Sequence, residues 1–340
     1  MKKEEKEWKP FRHNYANCLS NVLINEFMRY GIPYYPIFAY GFEFVYAPRP
    51  DRLLGESIAD RRDNYNGYWD IIYRTYGIEC YFEDVDPDKD AFVEKMRTRL
   101  TNAPVPCLID GYYDPATEYA HIYQKEHGSG HGRYVTKIDS DTVYYYATHI
   151  NDPEGCFAMC LDDFHLACEK FICFKYPEKI KEKEERHRIL QEVLYDWFIN
   201  RDHNRMIEKI KSFSEDVRNM KTLGDEIDHQ FEAHKVPASE MFKRLHKLYH
   251  SRGATLDFVK GYAEEFENKA YEDPIRNLQK SVELWEKARF LLVKYGMAPA
   301  HSTQEAMADC LLEISREEQQ AVTKIRSIIC EEMNTEPPKE

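Results

Sequence analysis

Cys18 carries the most chemistry in this sequence. It lies in His13-Asn14-Tyr15-Ala16-Asn17-Cys18-Leu19-Ser20-Asn21-Val22-Leu23. Asn14 and Asn17 are good helix N-caps, and Leu19, Val22, Leu23 and Phe27 recur at helical spacing until Gly31 and Pro33 stop the pattern. A cysteine in the first turn of a helix meets unpaired N–H groups and the positive end of the helix dipole. Both favour the thiolate, the form that attacks carbonyls and thioesters. Such a nucleophile needs a base and a third group to orient that base. His131 and Asp152 supply these types in chain order, with Asn151 an alternative to Asp152. Without a partner base, Cys18 reads as a small buried hydrophobe.

The elements that must bring these residues together are legible in outline. Residues 37–46 are aromatic and partly alternating between Pro36 and Pro48, which predicts a strand. Residues 61–76 predict a helix ending at Gly77, residues 78–82 a short strand, and residues 86–100 a helix with Pro87 near its start. Residues 105–113 then predict a buried strand. Two β-rich runs flank Asp139-Ser140-Asp141, a hairpin that opens near His131 and closes near Asp152. An antiparallel pair returns to its starting level, so a histidine and a carboxylate are expected to meet at its open end.

Composition changes near Tyr176-Pro177-Glu178. The expected organisation is α+β over residues 1–178 and an all-α helical bundle of about six helices over residues 179–335. In the second half Met206, Ile210, Phe213, Val217 and Met220 step by four and three. Trp285, Ala288, Leu292 and Tyr295 do the same. These stripes predict core.

The 340 residues are 43% hydrophobic, enough for two domains with sizeable cores. No apolar run is long enough to span a membrane, and the start lacks the apolar block of a secretory signal, so a cytoplasmic location is expected. Nine cysteines then imply reduced thiols. A net charge of −13 argues against nucleic acid as a partner and suits a cationic amine. Cys156, Cys160, Cys168 and Cys173, with His165, lack the paired C-x-x-C spacing of a zinc site, so no metal is expected. Gly128-Ser129-Gly130, between His127 and His131, has no phosphate-loop continuation and reads as a flexible lead-in to His131.

Taken together, Asn14-Tyr15-Ala16-Asn17-Cys18-Leu19-Ser20-Asn21-Val22-Leu23, Gly41-Phe42-Glu43-Phe44-Val45-Tyr46, Ile109-Asp110-Gly111-Tyr112-Tyr113 and Gly130-His131-Gly132-Arg133-Tyr134-Val135-Thr136-Lys137-Ile138-Asp139 with Asn151-Asp152-Pro153 resemble the butirosin biosynthesis H-type acyltransferases. These are papain-like proteins related in fold to bacteriocin-processing cysteine peptidases. The resemblance spans about residues 11 to 165. It implies that Cys18 is the nucleophile, His131 the base and Asp152 the orienting acid. The family's Gly-Tyr-Asp-like turn reads Lys-Ile-Asp here. The glutamine that papain-like enzymes place six residues before the cysteine is Arg12, which leaves the Cys18 backbone N–H with Asn17, Asn14 or His13 as oxyanion donors.

The resemblance further implies an acyltransferase of the ping-pong type. Cys18 takes an acyl chain from the phosphopantetheine thioester of an acyl or peptidyl carrier protein, and an amine then attacks the enzyme thioester to give an amide. Papain-like relatives in thiotemplated, closthioamide-type nonribosomal peptide assembly join acyl chains to a diamine in this manner. No other cofactor is implied. Tyr40, Tyr112 and Tyr113 are candidates to line an acyl tunnel, with Glu43, Asp110 or Asp114 to hold an ammonium group. The helical half is expected to cover that tunnel or dock the carrier, and residues 243–252 are the candidate basic patch. The alternatives are a cysteine peptidase or thioesterase, and a catalytically silent module that binds a partner.

Overall fold

The computed structural model describes residues 10–59, 66–116, 123–125, 127, 130–147, 155–227 and 239–335. In chain order these form α1 (Cys18–Arg29), β1 (Val45–Tyr46), α2 (Leu54–Ser57), β2 (Ile58–Ala59), α3 (Asn66–Tyr76), β3 (Glu79–Asp84), α4 (Lys89–Leu100) and β4 (Val105–Asp110). There follow β5 (Gly130–Ile138), β6 (Thr142–Ala147), β7 (Cys156–Cys160), α5 (Leu161–Ala167) and β8 (Cys168–Lys175). The chain then continues through α6 (Lys183–Phe198), α7 (His203–Asn219), α8 (Glu240–Glu265), α9 (Glu272–Met297) and α10 (His301–Met333). The protein is therefore α+β, with an antiparallel sheet and a C-terminal helical region.

Two compact units result. One joins Met1–Tyr34 to Tyr76–Ile180, the other Tyr35–Thr75 to Lys181–Glu340. The second begins close to the compositional change near residue 178, but it also takes in residues 35–75.

The first unit is built on a six-stranded sheet of order β3-β8-β4-β5-β6-β7, antiparallel at every pairing. The hairpin expected around Asp139-Ser140-Asp141 is β5–β6, closed by the Asp139 N–H donating to the Thr142 carbonyl at 2.9 Å. Both faces of β5 are covered, which is why Gly132 to Val135 are buried without alternation. Val135 joins a core with Phe92 and Met96 of α4, Phe164 of α5 and Phe171 of β8. Gly132 and Tyr134, pointing the other way, meet α1. The Tyr134 hydroxyl donates to the Val22 carbonyl at 2.6 Å. Leu19, Val22, Leu23 and Phe27 of α1 are buried, as their helical spacing requires.

In the second unit Met206, Ile210, Phe213 and Val217 of α7 and Trp285, Ala288, Leu292 and Tyr295 of α9 are buried as the helical stripes predict, whereas Met220, at the end of α7, is half-buried. The aromatic run 37–46 is not the expected strand. It opens as a 3-10 turn, Tyr35–Phe38, and only Val45–Tyr46 pairs, antiparallel, with Ile58–Ala59. Its rings are spent on helix packing, Phe42 against Phe198 and Phe44 against Phe213 and Trp285. Nor is 243–252 a continuous basic surface: Arg252 is fully buried, and Arg244 pairs with Glu240. Among the described residues, no helix is long and apolar enough to cross a membrane.

Candidate active site

Cys18 is the first residue of α1 and half-buried. Asn17 is its N-cap, with the side-chain oxygen accepting from the Ser20 N–H at 2.8 Å. Two further asparagines, each one turn on, hold the segment that leads to the thiol. Asn21 accepts from the His13 N–H at 2.7 Å and donates to the Ala16 and Asn17 carbonyls, both at 3.1 Å. Asn25 accepts from the Phe11 N–H at 2.6 Å and donates to the Phe11 carbonyl at 2.7 Å. Buried backbone groups outside regular structure are thus satisfied by an asparagine ladder along one helix face. The spacing 17, 21, 25 was the signal in the sequence.

The oxyanion candidates separate on this geometry. His13 is buried, with its ring edge-on to Phe11, Tyr15 and Tyr34 and its Nδ1 accepting from the Tyr15 N–H at 3.3 Å. It shapes the loop. Asn14 and Asn17 are both exposed, and the Asn17 oxygen is used by the cap.

Strand β5 approaches the Cys18 peptide closely. A methyl group at Gly132 would lie 2.8 Å from the Cys18 carbonyl oxygen and 3.0 Å from Val22 Cγ2, so only glycine fits. His131 is the neighbouring residue, at the start of β5 and half-buried. Burial, and then the Arg133 guanidinium, hold its imidazole below the ordinary histidine range, while Asp114 and Asp110 act in the opposite sense. Behind it Arg133 and Asp114 form a fully buried ion pair, Nε to Oδ2 2.9 Å. The Asp114 Oδ1 accepts from the Tyr145 hydroxyl at 2.7 Å and the Ala116 N–H at 3.0 Å.

Asp110 ends β4 in register with Gly130. Its Oδ1 accepts from the Tyr112 N–H at 3.0 Å, and its Oδ2 lies 2.7 Å from His127 Nδ1. The His127 ring stacks on Tyr112, with centroids 3.9 Å apart, and touches Tyr113 at 5.8 Å. His127 was not a sequence candidate, because only the β4–β5 register puts it beside Asp110. Asp152 and its alternative Asn151 lie outside the described residues.

Tyr40 and Glu43 belong to the second unit. Tyr40 packs edge-on to Trp197, and Glu43 pairs with Arg201 beside a cavity of about 300 Å³ that His203, Arg205 and Lys209 also line. Of the clustered cysteines, Cys156 and Cys160 are exposed at the ends of β7, whereas Cys168 and Cys173 are buried. Among the described residues no group of three or more histidine, cysteine or acidic side chains is arranged to hold a metal ion. No family model matches this chain, and no curated protein matches it.

Proposed function

We propose that this protein is a cysteine-nucleophile acyltransferase that forms amides, moving an acyl chain from a carrier-protein thioester to an amine in natural-product assembly. One observation carries the reading. The first turn of α1 packs the backbone of the half-buried Cys18 against Gly132, one residue along β5 from a half-buried histidine. A depressed imidazole is neutral near pH 7, the form that accepts the thiol proton. The thiolate attacks the thioester carbonyl, the carrier thiol leaves with that proton, and Cys18 holds the acyl group. An amine then displaces sulfur.

The papain-like resemblance set out above supports the same assignment, with His131 as base and the Cys18 N–H toward the oxyanion. Intact mass tests it. After incubation with an acylated carrier protein, the chain gains one acyl mass, Cys18→Ala gains none, and added amine releases an acyl amide. Release of free acid alone, with or without amine, makes the protein a thioesterase. Absence of any adduct on the wild type rejects the nucleophile.

A further inference from the structure

The acyl transfer proposed above uses one histidine, yet the site holds two. His127 has the arrangement of a general base. Its Nδ1 is 2.7 Å from a carboxylate, which only accepts, so in the neutral ring Nδ1 bears the proton and Nε2 presents its lone pair. The carboxylate is the fixed partner: the Asp110 side chain is 12% exposed and tied to the Tyr112 N–H, whereas the His127 side chain is 63% exposed. Stacking on Tyr112, at an interplanar angle of 18°, holds the ring against rotation. An ordinary surface ion pair contributes little to stability and needs none of this.

Register places Asp110 on the face of the sheet that meets the Cys18 peptide, and the contact at 2.7 Å ties His127 to it. Asp110 pairs with Gly130 and Leu108 with Gly132, and paired residues in an antiparallel ladder share a face. Gly132 faces the Cys18 peptide, so Asp110 faces the same way, two residues farther along the strand, about 7 Å.

We propose that His127, oriented by Asp110, is the base for the acceptor amine, while His131 serves the thiol. This rests on the acyl-transfer reading and divides its two half-reactions. The lone pair of a neutral amine attacks the carbonyl carbon of the Cys18 thioester. The C–N bond forms, one N–H proton passes to His127 Nε2, and the C–S electron pair returns to sulfur. The amide leaves, Cys18 is a thiolate, and the His127 imidazolium, opposite the Asp110 carboxylate, releases its proton to water. The acceptor that fits is a cationic alkyl amine such as a diamine. A second carboxylate, Glu169, lies 2.7 Å from where a Gly130 methyl would sit. Glu169, Tyr112 and Tyr113 lie beside the pair, and Asp110 also acts electrostatically on His131.

The test uses His127→Gln in the full chain, with an acyl N-acetylcysteamine thioester as donor and 1,4-diaminobutane as acceptor. Acyl-enzyme is measured by mass before amine is added, and its decay afterwards. His127 is exposed, and an unchanged melting temperature confirms that the variant folds. Aminolysis is expected to fall on the order of 100-fold relative to acylation. Asp110→Asn should slow the same half-reaction. An unchanged ratio of aminolysis to acylation in His127→Gln overturns the assignment while leaving the acyltransferase reading intact. A wild-type chain that never carries an acyl group sinks both.

Discussion

Among the described residues each unit buries one arginine completely against a carboxylate, and the two pairs are built alike. In the first, Asp114 takes Arg133 together with the Tyr145 hydroxyl and the Ala116 N–H, and Arg133 spends another N–H on the Gly132 carbonyl at 2.8 Å. In the second, Glu318 takes Arg252 at 2.8 and 3.0 Å together with the Ser281 hydroxyl and the Trp285 indole, both at 2.8 Å. Arg252 reaches the Glu43 carbonyl at 2.7 Å. Their neighbours differ. Arg252 is capped by the rings of Phe42 and Trp285 and acts on the buried His203, whereas Arg133 acts on the half-buried His131. Buried charge alone therefore does not mark a site. What sets the first pair apart is a titratable neighbour that solvent can reach.

The comparison breaks first where a partner is removed. Glu318→Ala leaves Arg252 charged and alone, and chemical denaturation should show a loss of about 3–5 kcal/mol. The folded fraction should keep the wild-type rate of Cys18 alkylation. A large drop in that rate would erase the distinction between the pairs. Arg133→Met leaves the buried Asp114 without its cation and costs a similar amount, but it adds a second effect. The guanidinium that depresses the His131 imidazole is gone while the opposing carboxylates stay, so the His131 titration followed by NMR should move to higher pH. A move to lower pH would contradict the electrostatics described here.

The two depressed histidines sharpen the contrast. His203 is buried, with Nε2 2.8 Å from the Trp197 carbonyl, and burial lowers it to about 4. Between pH 6.5 and 4 the unfolded chain binds a proton that the folded one does not. The stabilisation is complete above pH 6.5 and is lost as pH falls toward 4, about 3 kcal/mol in all. Denaturation at pH 7 and pH 4.5 should show most of this loss, and His203→Gln should flatten it. His131, only half-buried, should give a shallower slope.

How much of this was legible depends on how local each signal is. The α1 cap at Asn17, the β5–β6 turn at Asp139 and the apolar stripe from Met206 to Val217 are each written within a few residues, and each forms. Residues 37–46 misled because alternating aromatics fit a pleated surface and a groove between helices equally well. Arg252 looked like surface because its partner is 66 positions away. In the site, Cys18 announces itself by its place in a helix, but His127 becomes meaningful only through the register that brings it to Asp110. Asn21 and Asn25 read as weak helix formers until their tertiary partners are known.

The smallest expected effect separates the two uses open to Asn17. As a cap its oxygen satisfies the Ser20 N–H, and Asn17→Ala should cost about 1 kcal/mol, read as a small drop in melting temperature. Serine caps equally well but lacks the amide donor. Asn17→Ser should therefore restore stability to the wild-type value, and, if the side chain does nothing further, the rate of Cys18 acylation with it. Stability restored while acylation stays slow would assign the carboxamide to the oxyanion, and would make the first turn of α1 a catalytic element.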